Sequence, residues 1–506
     1  MTQWFLAIIC VSTCFGTTPA HSSKPIAIVI CSYNNRKYCQ KNLESALNQD
    51  YSNYRIIYVD DCSPDGTADA VEELANNHPN KHRFQLVRNK SRRKAMENLW
   101  RAIHMCNDDE IVITLDGDDW FPHNKVLTTV ASYYADPTVW IAYSNYITHP
   151  YRKPGISRPW NQNKIDSVGV RRHRYVVSHL RSFYAGLFKQ VKLQDLTYKG
   201  GFVPTTYDLA MFFPMLEMAA GHIRFMKEKL YVYNVINPIS DCKVRKRLQA
   251  KIDKHTRYLT PYQPINFHPA QKNASSKEEK IDLVVFSYNR PTQLHAFLES
   301  LYKLTKNFND VHVVYRSDNS EYERGYEIVK NTFPEVTWKR QKRAPHDFKS
   351  LTIQSAFEET SHANYIAFAS DAITIKDELD FQDAARLLNK TKGYAFLLRL
   401  GKEAAANSKT KKHNALPRYM QIEPGAMAWQ ISQVDRRSCW GYVNNLDMTI
   451  YRKEEIKPYF MGQSNFTNPD ELKVHWQQHC NRKNIVLCYD TSKIAKSHRD
   501  TDPVKH

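Results

Sequence analysis

The chain has 506 residues, 42% of them hydrophobic, enough to bury at least two cores, and its 71 Lys and Arg against 52 Asp and Glu leave a net charge of +19. That surplus suits an anionic partner such as a nucleotide sugar, an acidic glycan or a membrane face. Nucleic acid is not expected: the basic clusters at Arg171 to Arg174, Lys243 to Arg247, Lys339 to Arg343 and Lys409 to Lys412 lack a zinc-finger spacing or an RNA-binding aromatic signature and for the most part read as solvated faces, and ten scattered Cys without a Cys-x-x-Cys pair argue against structural zinc.

In chain order, Trp4 to Phe15 is apolar and is followed by Thr18-Pro19-Ala20, so residues 1–20 read as a secretory signal, with a membrane-resting start as the alternative. It is short for a transmembrane helix, and no later segment approaches 18 uninterrupted apolar residues; a soluble or peripheral protein is expected. Pro25 to Asn34 is a strand breaking into a polar turn. Leu43, Ala46 and Leu47 stripe the next helix, and Tyr54 to Val59 is a second strand. That strand ends in Asp60-Asp61-Cys62-Ser63-Pro64-Asp65-Gly66-Thr67, whose turn formers lead into a helix over Ala68 to Ala75. Met96, Leu99, Trp100 and Ile103 share one face of a third helix. Alternation of strand and helix predicts a parallel sheet covered on both faces.

Ile111 to Leu115 is then a buried strand that ends in three carboxylates within four positions, Asp116, Asp118 and Asp119. Crowded carboxylates repel one another unless a cation or a hydrogen-bond network relieves them, and ligands gather at the carboxyl ends of strands in open α/β sheets. Two readings stand at this point: a metal holding a phosphate-bearing substrate, and an acidic turn capping the next helix.

The chain also echoes itself. Ile281 to Arg290 repeats the first strand and its Ser-Tyr-Asn turn, Val311 to Ser320 matches the second strand, and Tyr365 to Ala372 matches the third. The interval from Tyr to the first Asp is 28 positions in one copy and 30 in the other. This spacing sets Asp318 opposite Asp61 and Asp371 opposite Asp118, with Ala372 replacing Asp119 and nothing corresponding to Asp116. Two related α/β domains follow, and the second acidic cluster is too poor to hold a metal as the first could.

Pro25-x-x-Ile28-x-x-x-Ser32-Tyr33-Asn34, then Val59 to Thr67, then Leu115-Asp116-Gly117-Asp118-Asp119 together closely resemble the family 2 glycosyltransferases of GT-A fold, over roughly residues 24–240. The second half resembles the same superfamily more loosely. The implied fold is two GT-A-like, Rossmann-like nucleotide-diphospho-sugar transferase domains in tandem: a catalytic domain at 21–242, a basic linker at 243–279 and a divergent domain at 280–506. The implied activity is metal-dependent, inverting transfer of a sugar from a UDP-sugar to a glycan, lipid or protein hydroxyl. By the same resemblance Asp61 bonds the uracil, Cys31, Tyr33 and Asn34 lie beside the nucleotide, and Asp118 serves both nucleotide and metal. Asp116, Asp118 and Asp119 are the metal positions, for Mn2+ or Mg2+. Asp208, in Thr205-Thr206-Tyr207-Asp208, is the implied base, although Tyr207 stands where the family has a second acid. Arg92, Arg93 and Lys94 would assist with phosphate charge, and Asn237, Ser240 and Asp241 with phosphate or acceptor. Trp140, Tyr143, Trp160 and Tyr184 are sugar-stacking surfaces or core. Asp318, Asp371 and Asp447 are weaker counterparts in the second domain.

The alternatives are a noncatalytic nucleotide- or carbohydrate-binding protein on this fold and a bifunctional transferase with two active domains. The N-terminal segment implies the secretory route, lumenal or exported, against a cytoplasmic or peripheral membrane location.

Overall fold

A computed structural model describes residues 23–239, 241–271, 279–358, 362–405, 415–462 and 465–496. The expected signal at 1–20, Ser240, the side chain of Asp241 and the Lys409 to Lys412 cluster lie outside the described residues.

The first sheet contains β1 (Ile26–Ser32), β2 (Tyr54–Asp60), β3 (Phe84–Arg88), β4 (Ile111–Asp116), β5 (Ile141–His149), β6 (Arg181–Tyr184) and β7 (Ile223–Asn234), in the order β3-β2-β1-β4-β6-β5-β7. The first four strands are parallel and β6 runs against them. Between them lie α1 (Cys39–Leu47), α2 (Thr67–Asn76) and α3 (Ala95–His104). Ile26 to Ile30 and Ile111 to Ile113 are all but inaccessible, because parallel strands carry helices on both faces and need apolar side chains on both. On α3 the residues expected to share a face, Met96, Leu99, Trp100 and Ile103, are all buried, together with Asn98 and Ala102. The long α4 (Tyr207–Ala219) is buried from Leu209 to Ala219, consistent with its apolar composition all round.

Within the stretch read as a basic linker, α5 (Lys246–Arg257) is a helix that buries Ile252 and Thr256 against the first domain. Arg171 docks it. The guanidinium of Arg171 makes a bidentate pair with Glu217 of α4 at 2.7 and 2.9 Å and donates to the carbonyl of Thr256 at 2.7 Å. Arg171 is therefore no part of a solvated basic face; its planar fork matches a carboxylate and so tolerates burial.

The second sheet contains β8 (Ile281–Tyr288), β9 (Val311–Arg316), β10 (Thr337–Arg340), β11 (Tyr365–Ser370), β12 (Ala395–Leu397), β13 (Met420–Glu423), β14 (Ala426–Gln430), β15 (Thr449–Arg452) and β16 (Ile485–Tyr489). Its order, β10-β9-β8-β11-β15-β12-β16-β14-β13, repeats the first sheet over four parallel strands and an antiparallel fifth.

Strand register corrects the aspartate pairing expected from spacing. In the first sheet Cys31 lies opposite Asp116, and its carbonyl accepts from the amide of Gly117. In the second, Phe286 lies opposite Ser370, and its carbonyl accepts from the amide of Asp371. Asp371 thus takes the place of Gly117, and Ala372 that of Asp118. Likewise Ser32 faces Asp60 while Ser287 faces Tyr315, so Arg316 stands where Asp61 does and Asp318 falls beyond it. Counting positions between motifs carries along every change of loop length; register does not.

The two halves touch through main-chain acceptors. Arg101 of α3 donates to the carbonyls of Gln421 and Ile422, and Arg418 donates to the carbonyl of Lys199 at 2.9 Å.

Candidate active site

A cavity of about 640 Å³ opens at the carboxyl ends of β1 and β4, walled by residues 204–209 and by α5. Every lining residue belongs to the first half, from Val29 to Arg257.

The acidic turn sits at its floor. Gly117 is obligatory there: a Cβ would fall 2.5 Å from Ser32 Oγ, so the turn presses against the end of β1. Asn42 of α1 pins the turn by donating to the carbonyls of Asp116 and Asp119 at 2.9 and 2.7 Å. Asp116 faces the cavity and accepts at Oδ1 from the Tyr207 hydroxyl at 3.0 Å, with His179 Nε2 4.0 Å from its other oxygen. Asp118 also faces the cavity and accepts from Asn237 Nδ2 at 2.6 Å. Burial, and then the Asp116 carboxylate, push the pKa of Asp118 up to about 6.

Asp119 is different. It is 1% exposed, does not line the cavity, and accepts from the Tyr231 hydroxyl and the Asn234 amide, both at 2.7 Å. Burial, with Asp118 and Asp116 adding to it, drives its pKa well above the usual carboxylate range. The expectation that all three carboxylates face one metal is corrected to two, because the third is spent tying the turn to the end of β7. Among the described residues no three His, Cys, Asp or Glu converge on a metal-sized site.

On the other side of the cavity, Cys31, Tyr33 and Asp61 are lining residues and Asn34 is not. Asn34 has φ of 55° and its amide donates to Ser63 Oγ at 3.0 Å, so it shapes the turn while Asn35 takes its place at the cavity wall. The guanidinium of Arg92 lies 3.6 Å over the Tyr33 ring. Burial, then Asp116 and Asp61, push the Cys31 thiol well up. Asp61 is 3% exposed and accepts from the amides of Arg93 and Lys94 at 2.7 and 2.8 Å and from Asn89 Nδ2 at 3.0 Å. A carboxylate offers about four lone-pair sites, so three of these bonds leave one for a ligand donor. Arg92 and Lys94 line the cavity, whereas Arg93 turns away to Glu97.

Asp208 opens the first turn of α4 on the cavity wall, about a third exposed, with Oδ2 3.8 Å from Nη1 of the buried Arg181. Tyr207 beside it bridges to Asp116. His179, Arg181 and Tyr175 line this side and were not legible in sequence. Burial, and then Arg181, hold His179 well below its ordinary pKa, so the ring is neutral. No spacing marks these three; only the packing of Leu180 and Phe183 on the sheet delivers their neighbours to the cavity. Of the aromatic candidates, Trp140, Tyr143 and Tyr184 are core, and Trp160 lies against a separate cavity near Arg171.

In the second half, Asp318 is held by Tyr288, Asn289 and Arg316, Asp371 lies 3.9 Å from Arg290, and Asp447 accepts from Lys496 at 3.1 Å. None of the three lines the cavity of the first half.

Comparison with known proteins gives four likenesses. Residues 27–195 match the family described as glycosyl transferase family 2. The chain is 22% identical over 201 residues to the bifunctional glycosyltransferase pgtA of Dictyostelium discoideum, covering 37% of this chain and 26% of that one. It is 34% identical over 108 residues to the putative teichuronic acid biosynthesis glycosyltransferase TuaG of Bacillus subtilis, covering 20% of this chain and 40% of that one. The matched part thus spans between a quarter and two-fifths of these relatives. A solved structure, the mannosyltransferase PcManGT from Pyrobaculum calidifontis in complex with GDP-Man and Mn2+, overlays with a TM-score of 0.34 at 20% identity, over 48% of this chain and 67% of that one, a likeness too slight to carry an argument.

Proposed function

We propose that this chain, whose residues 27–195 match glycosyl transferase family 2, is an inverting glycosyltransferase that moves a sugar from a UDP-sugar to a glycan, lipid or protein hydroxyl. One observation carries the reading: Asp61, the Asp116 and Asp118 pair, and Asp208 face a single cavity, each from a different element, with Arg92, Lys94 and Arg245 on its wall. That arrangement suits a ligand with an imide, a diphosphate and a sugar in line.

Asp61 keeps one acceptor position for a base N–H. The cations balance phosphate charge. Asp208, 3.8 Å from Arg181, takes the acceptor hydroxyl proton while the acceptor oxygen attacks the anomeric carbon and UDP leaves from the opposite face. Tyr207 fixes Asp116 beside it. Mn2+ or Mg2+ fits in part: Asp116 and Asp118 would hold it as hard oxygen donors whose mutual repulsion a cation would relieve. Such an ion would supply Lewis-acid stabilisation of the departing diphosphate.

The second half is better suited to a noncatalytic role, because Ser370, Asp371 and Ala372 stand in register with Asp116, Gly117 and Asp118. Trp4 to Phe15 supports a lumenal or exported location, tested by sequencing the N-terminus of the mature protein. The transferase reading is tested by calorimetric titration with UDP and Mn2+, followed by a screen of UDP- and GDP-sugars for hydrolysis. Absence of metal-dependent UDP binding would sink it and favour a carbohydrate-binding protein.

A further inference from the structure

The mouth of the cavity carries a ridge that catalysis does not use. It is built from two neighbouring segments, the hairpin after β5 and the chain between β7 and α5. The amide of Val235 donates to the carbonyl of His149 at 3.1 Å, and Lys243 Nζ donates to the carbonyls of Val235 and Asn237 at 2.8 Å each, so the two segments form one rim. Its inner side belongs to the cavity through Asn237, Ile239 and Arg245. Along the rim Tyr151 is 66%, Val244 60%, Ile156 48%, Ile239 45% and Ile236 42% exposed. Exposed aliphatic side chains scattered singly need no explanation, but five on two adjoining segments at the edge of a cavity do.

Charge says what covers them. Residues 149–160 hold three Lys or Arg and no Asp or Glu, and residues 234–252 hold five and one. Arg152, Lys153, Lys243, Lys246 and Arg247 are exposed among the apolar side chains. A polyanion in solution would use the cations and waste the Ile, Val and Tyr surface. A neutral protein groove would use the apolar surface and leave the cations unbalanced. An anionic bilayer uses both, with apolar side chains at the headgroup boundary and Lys and Arg at the phosphates. Among the described residues no helix is long and apolar enough to cross a membrane, so this contact would be peripheral.

We propose that the rim formed by Tyr151 to Ile156, Ile236 to Ile239 and Lys243 to Arg247 docks the protein on an anionic lipid surface with the cavity mouth facing it. This rests on the transferase reading only in pointing to a lipid-borne acceptor, which could enter without leaving the bilayer; the docking itself is read without turnover.

The test is co-sedimentation of the full chain with vesicles of phosphatidylcholine alone and of phosphatidylcholine with phosphatidylglycerol. The parent should pellet with the anionic vesicles and stay in solution with the neutral ones. Arg152→Ala with Lys153→Ala should lower vesicle partitioning about thirty-fold. Tyr151→Ser with Ile236→Ser and Val244→Ser should lower it at least about tenfold. Both variants should keep the parent's melting temperature and UDP affinity. A parent that ignores anionic vesicles would overturn the proposal, as would a serine variant that binds them as tightly as the parent, which would make the rim a site for a soluble polyanion. Vesicle binding without UDP binding would uphold this surface while sinking the transferase reading, and the converse would do the reverse.

Discussion

Glu217→Ala is the most informative single substitution, because it probes whether α5 belongs to the site. Glu217 and Arg171 are 6% and 4% exposed, paired at 2.7 and 2.9 Å, and Glu217 also accepts from the amide of Tyr262 at 3.0 Å. Removing the carboxylate strands a buried guanidinium and a half-buried amide. Breaking a buried pair from one side costs about 3–5 kcal/mol. At about 2–4 °C per kcal/mol for a domain of this size, the melting temperature should fall by about 6–20 °C. Function should fall with it, since Arg171 also holds the carbonyl of Thr256 on α5, and Arg245, Asp253 and Arg257 line the cavity from that segment. The paired change Arg171→Met with Glu217→Leu should recover most of the loss, because apolar side chains of similar volume need no partner. Calorimetry of the full chain at neutral pH reads the stability, and UDP titration reads the site. An unchanged melting temperature for Glu217→Ala would refute the claim that this pair docks α5; a double variant as unstable as the single one would show that its charges are not the cause.

Asp118→Asn should leave the melting temperature intact and abolish Mn2+-dependent UDP binding, and a variant with full transfer activity would remove the metal assignment. Asp208→Asn should lower kcat by about 10²–10⁴-fold with UDP affinity unchanged, the size of a lost general base; unchanged turnover would eliminate it. Asp119→Ala should destabilise the fold by about 1–3 kcal/mol, because Tyr231 and the Asn234 amide lose their acceptor, and chemical denaturation would read this without any metal present. His104, near the contact between halves, is held at a pKa of about 3 by burial, against an ordinary 6.5. The unfolded chain then takes up a proton that the fold refuses, so His104 has no effect above about pH 6.5, and stability falls by about 1.4 kcal/mol per pH unit below it until about pH 3. Denaturation midpoints of His104→Gln should lack that component of the acid slope; an identical slope would refute it.

Much of the first domain was legible in order along the chain. Strand runs such as Ile26 to Ile30, the Met96, Leu99, Trp100 and Ile103 face of α3, and the carboxylates ending β4 depend on residues a few positions apart, and local chemistry decides them. The repeated strand order was foreshadowed by the second Ser-Tyr-Asn turn for the same reason. Misreadings arose where the deciding partner lies far along the chain. Asp119 resembles Asp118 in sequence, yet Tyr231 and Asn234 draw it under the sheet edge. Arg171 resembles the exposed Arg172 and Arg174 until Glu217 is brought beside it.

The sequence by itself therefore determined the parallel sheet, the placing of an acidic turn at its carboxyl edge, and the duplication of the scaffold, since period and turn chemistry are short-range. Only the tertiary structure decided which two of the three carboxylates see the cavity, that Arg181 and His179 join Asp208 there, that α5 closes it, and that Asp318 and Asp371 are out of register with their supposed counterparts. Those outcomes turn on side-chain direction and strand register, which long-range packing sets and residue order alone leaves open.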